Sequence, residues 1–223
     1  MTYYVTALDA GVVDHYIPSV MQSAPAVATR GRPREFCTEA ALAAALGVFW
    51  AKGYDGASMA DLTAAMGITK PSLYAAFGNK EQLFHRALDL YGAEKMAYTR
   101  DALKQPTARA VAEHLMRGAV VAQTSTSDPK GCLGVISATA CGAEAESIRG
   151  HIIERRAAAH AALVERFRAA QRDGDLAPGA DPEGLAQYLY AMLQGMAVQA
   201  GSGATRADLD RVVDIGLMMW PSR

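Results

Sequence analysis

The stretch from Thr38 to Gly78 constrains the fold most, because it sets three helix starts and three glycine stops in close succession. Thr38 is a capping residue ahead of Leu42, Ala45, Leu46 and Phe49, which fall at i, i+3, i+4 and i+7 on one helix face, and Gly53 closes that segment. Ser58, with Asp61 three residues on, resembles a capping box and predicts a short helix from Met59 to Met66 that ends at Gly67. A third helix starts at Thr69 to Pro71, where the first turn has no use for the N–H that proline lacks, and ends at Gly78. Three short helices with a glycine turn between the second and third read as a helix-turn-helix, whose recognition helix enters the major groove with its N-terminal residues at the base edges.

The rest of the chain continues the same pattern, and nowhere do apolar and polar residues alternate long enough to argue for a sheet, so the class is all-α. Asn79 with Gln82 caps a fourth helix expected to reach about Leu103, Pro106 breaks the chain, and a fifth covers roughly Thr107 to Ala122. After a polar loop, Gln123 to Gly131, comes a short apolar segment, Cys132 to Cys141. A long helix follows from about Ala143 to Arg172, with Ile148, Ile152, Ala159, Leu163, Phe167 and Ala170 on one stripe. Asp181 as N-cap and Pro182 at the first helical position open a helix reaching Ala200. Leu185, Leu189, Met192 and Met196 cover one face of it while Tyr190, Leu193 and Ala197 extend round another, wide enough for two packing partners. Thr205 with Asp208 caps the last helix, where Leu209, Val212, Val213, Gly216, Leu217 and Trp220 keep the helical period.

Residues 1–29 show no clear helical period and are expected to form a flexible tail; Met21 is a candidate translation start. The expected division is a helix-turn-helix domain over 30–80 and a larger helical domain over 81–223. No apolar run approaches the roughly 20 residues that cross a bilayer, and no basic start precedes an apolar leader, so neither membrane nor export is expected and the chain is placed in the cytoplasm. Cys37, Cys132 and Cys141 make no disulfide framework, which suits a reducing compartment.

A net charge of −1 says nothing of nucleic acid by itself. Its distribution is more informative: nine basic residues face seven acidic ones between Arg30 and Arg100, against thirteen and fourteen from Asp101 onward. In the third helix Leu73, Ala76 and Phe77 are expected to face the first helix and Lys70, Pro71, Ser72 and Tyr74 to face outward. Lys70 can reach guanine acceptors or a phosphate, Pro71 a thymine methyl, and the hydroxyls of Ser72 and Tyr74 phosphate oxygens, with Thr69 at the helix start counted in the same site. Ser58 and Lys80 sit at helix starts, where backbone N–H groups and the positive dipole end favour phosphate. Arg30, Arg32 and Arg34 just ahead can follow the backbone or enter the minor groove.

The block from Phe49 to Phe84, with its Gly-Tyr-x-Gly-x-Ser, the turn glycine, Ser-Leu-Tyr, Phe-x-x-Lys and Leu-Phe, closely resembles the DNA-binding domain of the TetR family, and the preceding Arg-Gly-Arg-Pro-Arg is usual there. By that resemblance Lys70, Pro71, Ser72 and Tyr74 match recognition-helix positions and Ser58 and Lys80 match backbone-contacting ones. Ala60 departs from members that carry a longer, base-reaching side chain there. The resemblance further implies about nine helices and a homodimer joined by the last two in a four-helix bundle. It also implies double-stranded operator DNA as partner, and repression relieved by a small-molecule effector held among the middle helices.

The segment Gly131 to Cys141 resembles a Gly-Cys-Leu stretch of one family branch, some of whose members respond to electrophiles or oxidants through cysteine. Cys132 therefore has two readings, a small core residue or a redox sensor with Cys141 as resolving partner. His114, Tyr91, Tyr188 and Met192 are the remaining candidates for an effector site, each with a core or interface reading beside it. The histidines and cysteines are too scattered for a metal site, no cofactor motif is present, and no nucleophile elbow, phosphate loop or acid–base pair suggests an enzyme.

Overall fold

The structure, a computed structural model, describes residues 37–140 and 145–221. Ten helices follow one another among the described residues: α1 (Thr38–Gly56), α2 (Met59–Met66), α3 (Lys70–Phe77), α4 (Lys80–Glu94), α5 (Ala97–Ala102), α6 (Ala108–Gln123), α7 (Leu133–Ala140), α8 (Glu146–Arg172), α9 (Pro182–Gly201) and α10 (Arg206–Met218). Arg30, Arg32, Arg34 and Cys141 lie outside the described residues, as does the N-terminal tail.

Two cores organise these helices. The first gathers the buried faces of α1 to α4 with Leu133 and the beginning of α8, Ala145, Ile148 and Ile152. Phe49 meets Phe84 edge-on at 5.0 Å and Trp50 meets Tyr91 at 4.8 Å. Such aromatic pairs each contribute about 0.5–1.5 kcal/mol beyond their buried area. They bind α4 to α1, so α4 shares the core of the three short helices. The second core joins α6, α9, α10 and the C-terminal half of α8, through Leu163, Val164, Phe167 and Ala170. One apolar stripe along α8 thus serves both cores.

The short helices end where the sequence predicts. Regular α1 is interrupted at Gly53 (φ 71, ψ 176), and α2 ends at Gly67 (φ 65), whose left-handed backbone lets the amides of Gly67 and Ile68 reach the carbonyls of Ala64 and Thr63. At Gly78 the backbone is left-handed (φ 78), and a Cβ would collide with the Gln82 amide that caps α4.

Two expectations need correction. The helix expected to run from Asn79 to Leu103 breaks at Lys95 and Met96 into α4 and α5. Distant groups stabilise the break: Lys95 pairs with Asp128 at 2.9 Å, and Arg100 donates to the carbonyls of Gly92 (3.1 Å) and Ala93 (3.0 Å), which the missing turn would otherwise leave without donors. Asp181 precedes α9 but makes no side-chain cap hydrogen bond, its carboxylate lying close over Gly184. The apolar segment after Gly131 is itself helical, as α7.

Candidate nucleic-acid interface and internal cavity

The exposed end of the three-helix head is built by caps. Ser58 Oγ accepts from the Asp61 amide at 3.1 Å, and the Asp61 carboxylate accepts from the Ser58 amide (3.1 Å) and hydroxyl (2.7 Å). Lys52 reaches over from α1 to the same carboxylate at 2.7 Å. Lys52 and then Ser58 hold the Asp61 carboxyl down at a pKa of about 2. The Ser58 hydroxyl is thereby occupied, so what this helix start offers outward is the amide pair of Met59 and Ala60, which have no acceptor within the helix.

Thr69 caps α3 in the same way, its Oγ1 accepting from the Ser72 amide at 3.3 Å and lying 2.9 Å from Ser72 Oγ. Leu73 and Phe77 are fully buried and fix the helix to the head. Lys70, Pro71 and Tyr74 stand outward, Ser72 is half-buried, and the Lys70 ammonium lies 5.9 Å from the centre of the Tyr74 ring. Tyr74 is 46% exposed, more than a helix packed on both sides would leave an aromatic. Lys80 opens α4 with its ammonium 4.4 Å above the Tyr54 ring, and partial burial lowers its pKa. Arg86, which the sequence did not single out, donates to the Ala76 carbonyl at 3.2 Å and covers Phe77, bracing the C-terminal end of α3. The structure thus brings Ser58, Thr69, Lys70, Pro71, Ser72, Tyr74 and Lys80 into the helix starts of one small head, with the apolar side of each helix turned inward.

A cavity of about 580 Å³ opens among the helices beyond the head, lined from α4 to α9. Tyr91 and Cys132 stand on its wall; His114, Tyr188 and Met192 are not part of the lining. Tyr188 instead packs against the second core, its hydroxyl beside Gly216. The Tyr91 hydroxyl hydrogen-bonds with Cys132 and with the Leu133 amide, and burial raises its pKa. Tyr98 on α5 is likewise pushed up by burial, and Tyr190 on α9 is pushed up to about 12. All three are therefore neutral hydroxyls near neutral pH. Gln123 is almost fully buried; its amide nitrogen donates to the Leu193 carbonyl at 3.2 Å, while Oε1 has no hydrogen-bond partner among the described residues. Tyr98, Tyr190, Gln123, Arg155 and Arg156 are lining residues that sequence reading missed. An arginine pair within a long helix reads as a solvated face, and no local signal separates it from one.

Residues 41–87 match the family described as bacterial regulatory proteins, tetR family, and residues 99–215 match the tetracyclin repressor-like C-terminal domain. The chain belongs to the TetR family. Among its relatives, the HTH-type transcriptional repressor ComR of Escherichia coli (strain K12) is 33% identical over 199 residues, covering 86% of this chain and 93% of ComR. The HTH-type transcriptional repressor BdcR of the same organism is 41% identical over 104 residues, covering 47% of this chain and 52% of BdcR. A solved structure of a cysteine mutant of the TetR-family transcriptional regulator CifR, complexed with 26-base-pair double-strand operator DNA, superposes with a TM-score of 0.81 at 43% identity, covering 85% of this chain and all of that one. The first TetR match takes in all of α2 and α3, and most of α1 and α4; the second takes in α6 to α9 and most of α5 and α10. This TetR-family chain is a transcriptional regulator with an N-terminal helix-turn-helix and a helical C-terminal domain. No described helix is long and apolar enough to cross a membrane.

Proposed function

We propose that this TetR-family regulator is a repressor that binds double-stranded operator DNA as a homodimer through residues 30–80, and that a small molecule in the cavity of the 81–223 domain releases it. The observation that carries the DNA-binding part is the N-terminal half of α3 and the residue after it, where Lys70, Pro71 and Tyr74 project from a helix anchored by Leu73 and Phe77. Operator binding by the CifR relative and the repressor names of ComR and BdcR support it. Lys70 and Pro71 take base edges, Tyr74 and Ser72 phosphates, and the starts of α2 and α4, with Lys80, the flanking backbone. Arg32 takes the neighbouring groove. For assembly, α9 and α10 leave Val198, Ile215 and Met218 more than half exposed, apolar surface that a second copy would cover.

Operator sequences selected from random duplexes give the mobility-shift assay that tests this. Lys80→Ala should weaken binding to every sequence and reduce the salt slope by about 0.9, the value for one phosphate contact, whereas Lys70→Ala should relax sequence preference. Unchanged affinity and slope in both variants would show that the recognition surface lies elsewhere. Cysteine chemistry at Cys132 would act on the same cavity wall. A wild type that oxidant or electrophile does not release from the operator, with a Cys132 that no thiol reagent labels in the folded protein, rules that route out.

A further inference from the structure

The cavity carries a charge imbalance that DNA binding does not use. Its lining includes three arginines, Arg100, Arg155 and Arg156, and one carboxylate, Asp89. Arg155 forms an ion pair with Asp89, and Arg100 is spent on the exposed end of α4. Arg156 differs from both. Its guanidinium is half-buried, donates to the Gly134 carbonyl at 3.1 Å, and pairs with no carboxylate among the described residues. Its positive charge acts on the Tyr190 hydroxyl on the facing helix, opposing the rise that burial imposes there. A guanidinium drawn out of water is ordinarily paired, and one carbonyl dipole does not neutralise it. A neutral ligand would strip away more of its water and leave its charge without a counter-charge. A cationic ligand would meet like charge. An anion would complete it through the planar fork that suits carboxylate geometry.

We propose that the cavity selects organic acids: an apolar ring or chain fills the space of about 580 Å³, and a carboxylate accepts hydrogen bonds from the Arg156 guanidinium and the Tyr190 hydroxyl. The volume lies within the range of small-molecule pockets, and Leu88, Leu115, Leu163 and Leu193 supply apolar walls. Tyr190 is a hydroxyl donor at neutral pH, so it adds a hydrogen bond to the anion without adding negative charge. This inference rests on the reading of the cavity as the effector site.

The test uses the full chain and three probes of one shape: biphenyl-carboxylate, biphenyl-carboxamide and biphenyl. Isothermal titration without DNA should show the carboxylate binding at least tenfold tighter than the carboxamide, about 1.4 kcal/mol. Arg156→Met should bring the two to parity while leaving the affinity for biphenyl within a few-fold. Arg155→Ala, at the ion-paired rim, should keep the preference. Equal binding of carboxylate and carboxamide by the wild type, survival of the preference in Arg156→Met, or binding of none of the three would overturn the inference. Arg156→Lys guards against a folding artefact: it should retain part of the preference, and parity there with an intact thermal transition would deny the fork geometry. A mobility shift with the same probes separates the two readings. Carboxylate that binds through Arg156 yet leaves the operator complex intact refutes the cavity as effector site and leaves its anion selectivity standing.

Discussion

Gly118 on α6 is the position where packing between α5 and α6 can be tested most directly. A Cβ built there would lie 2.5 Å from Cδ2, 2.6 Å from Cγ and 2.8 Å from Cβ of Tyr98. Carbon atoms settle at about 3.5–4.0 Å, so Tyr98 would have to retreat by roughly 1 Å. Rotating the ring does not achieve this, because Tyr98 Cβ is itself in the way; α5 must move. The cost of such overpacking is about 1–3 kcal/mol, against which alanine in a helix interior regains about 1 kcal/mol over glycine. Those two effects nearly cancel at the low end, so Gly118→Ala alone does not decide the matter. Gly150 on α8 supplies the reference, since a Cβ there meets nothing within 4 Å. Gly150→Ala should stabilise by about 1 kcal/mol, and the gap between the two variants isolates the overpacking at about 1–3 kcal/mol. In a chain of this size that gap is about 2–12 °C in Tm, measured by thermal denaturation at one fixed protein concentration, because assembly makes Tm concentration-dependent. Gly118→Ala at least as stable as Gly150→Ala would refute the close approach of Tyr98.

Two further outcomes follow from the same geometry. Val198→Glu, on an exposed part of α9, should turn a dimer into a folded monomer in sedimentation; a wild type that is already monomeric at micromolar concentration would refute the two-fold assembly. Because the folded Asp61 carboxyl titrates at about 2 against an ordinary 3.8, its contribution to stability is present above about pH 4 and lost as pH falls through 2. Asp61→Asn should therefore flatten the acid limb of a stability–pH profile over that window, and an unaltered limb would show that the Lys52 and Ser58 contacts do not hold the carboxylate in solution.

The head was legible because its information is local. Ser58 with Asp61 and Asn79 with Gln82 form their capping boxes within four residues, and Gly67 and Gly78 adopt the left-handed backbone that glycine alone reaches without strain. Leu73 and Phe77 inward against Lys70 and Tyr74 outward follows from helical spacing once α3 is placed. The break between α4 and α5 was not legible, because the groups that satisfy it, Asp128 and Arg100, act across thirty-three and about eight residues of chain. Gly92 lies three residues ahead of the break, but an isolated glycine inside a helical pattern is tolerated and does not by itself predict a stop.

The broad apolar surface of α9 shows why the sensing half resists the same reading. Periodicity finds apolar positions all round the helix, but it does not say whether each faces a neighbour, a partner or a void. Leu189 and Met196 are buried in the second core, Tyr190 and Leu193 line the cavity, and Val198 is left outside. A charge at Leu193, the substitution that sequence alone would choose to break a dimer, would therefore fall on the cavity wall. The arginine pair on α8 makes the same point from the polar side. Consecutive helical residues lie about 100° apart, so Arg155 and Arg156, though both line the cavity, meet different neighbours. Arg155 turns to Asp89 at the rim, while Arg156 turns toward the Gly134 carbonyl and the Tyr190 hydroxyl. What distinguishes them is which helix stands opposite, a fact of tertiary packing, and for that reason the chemistry of the ligand is written in the assembled cavity and not in the local spacing of the chain.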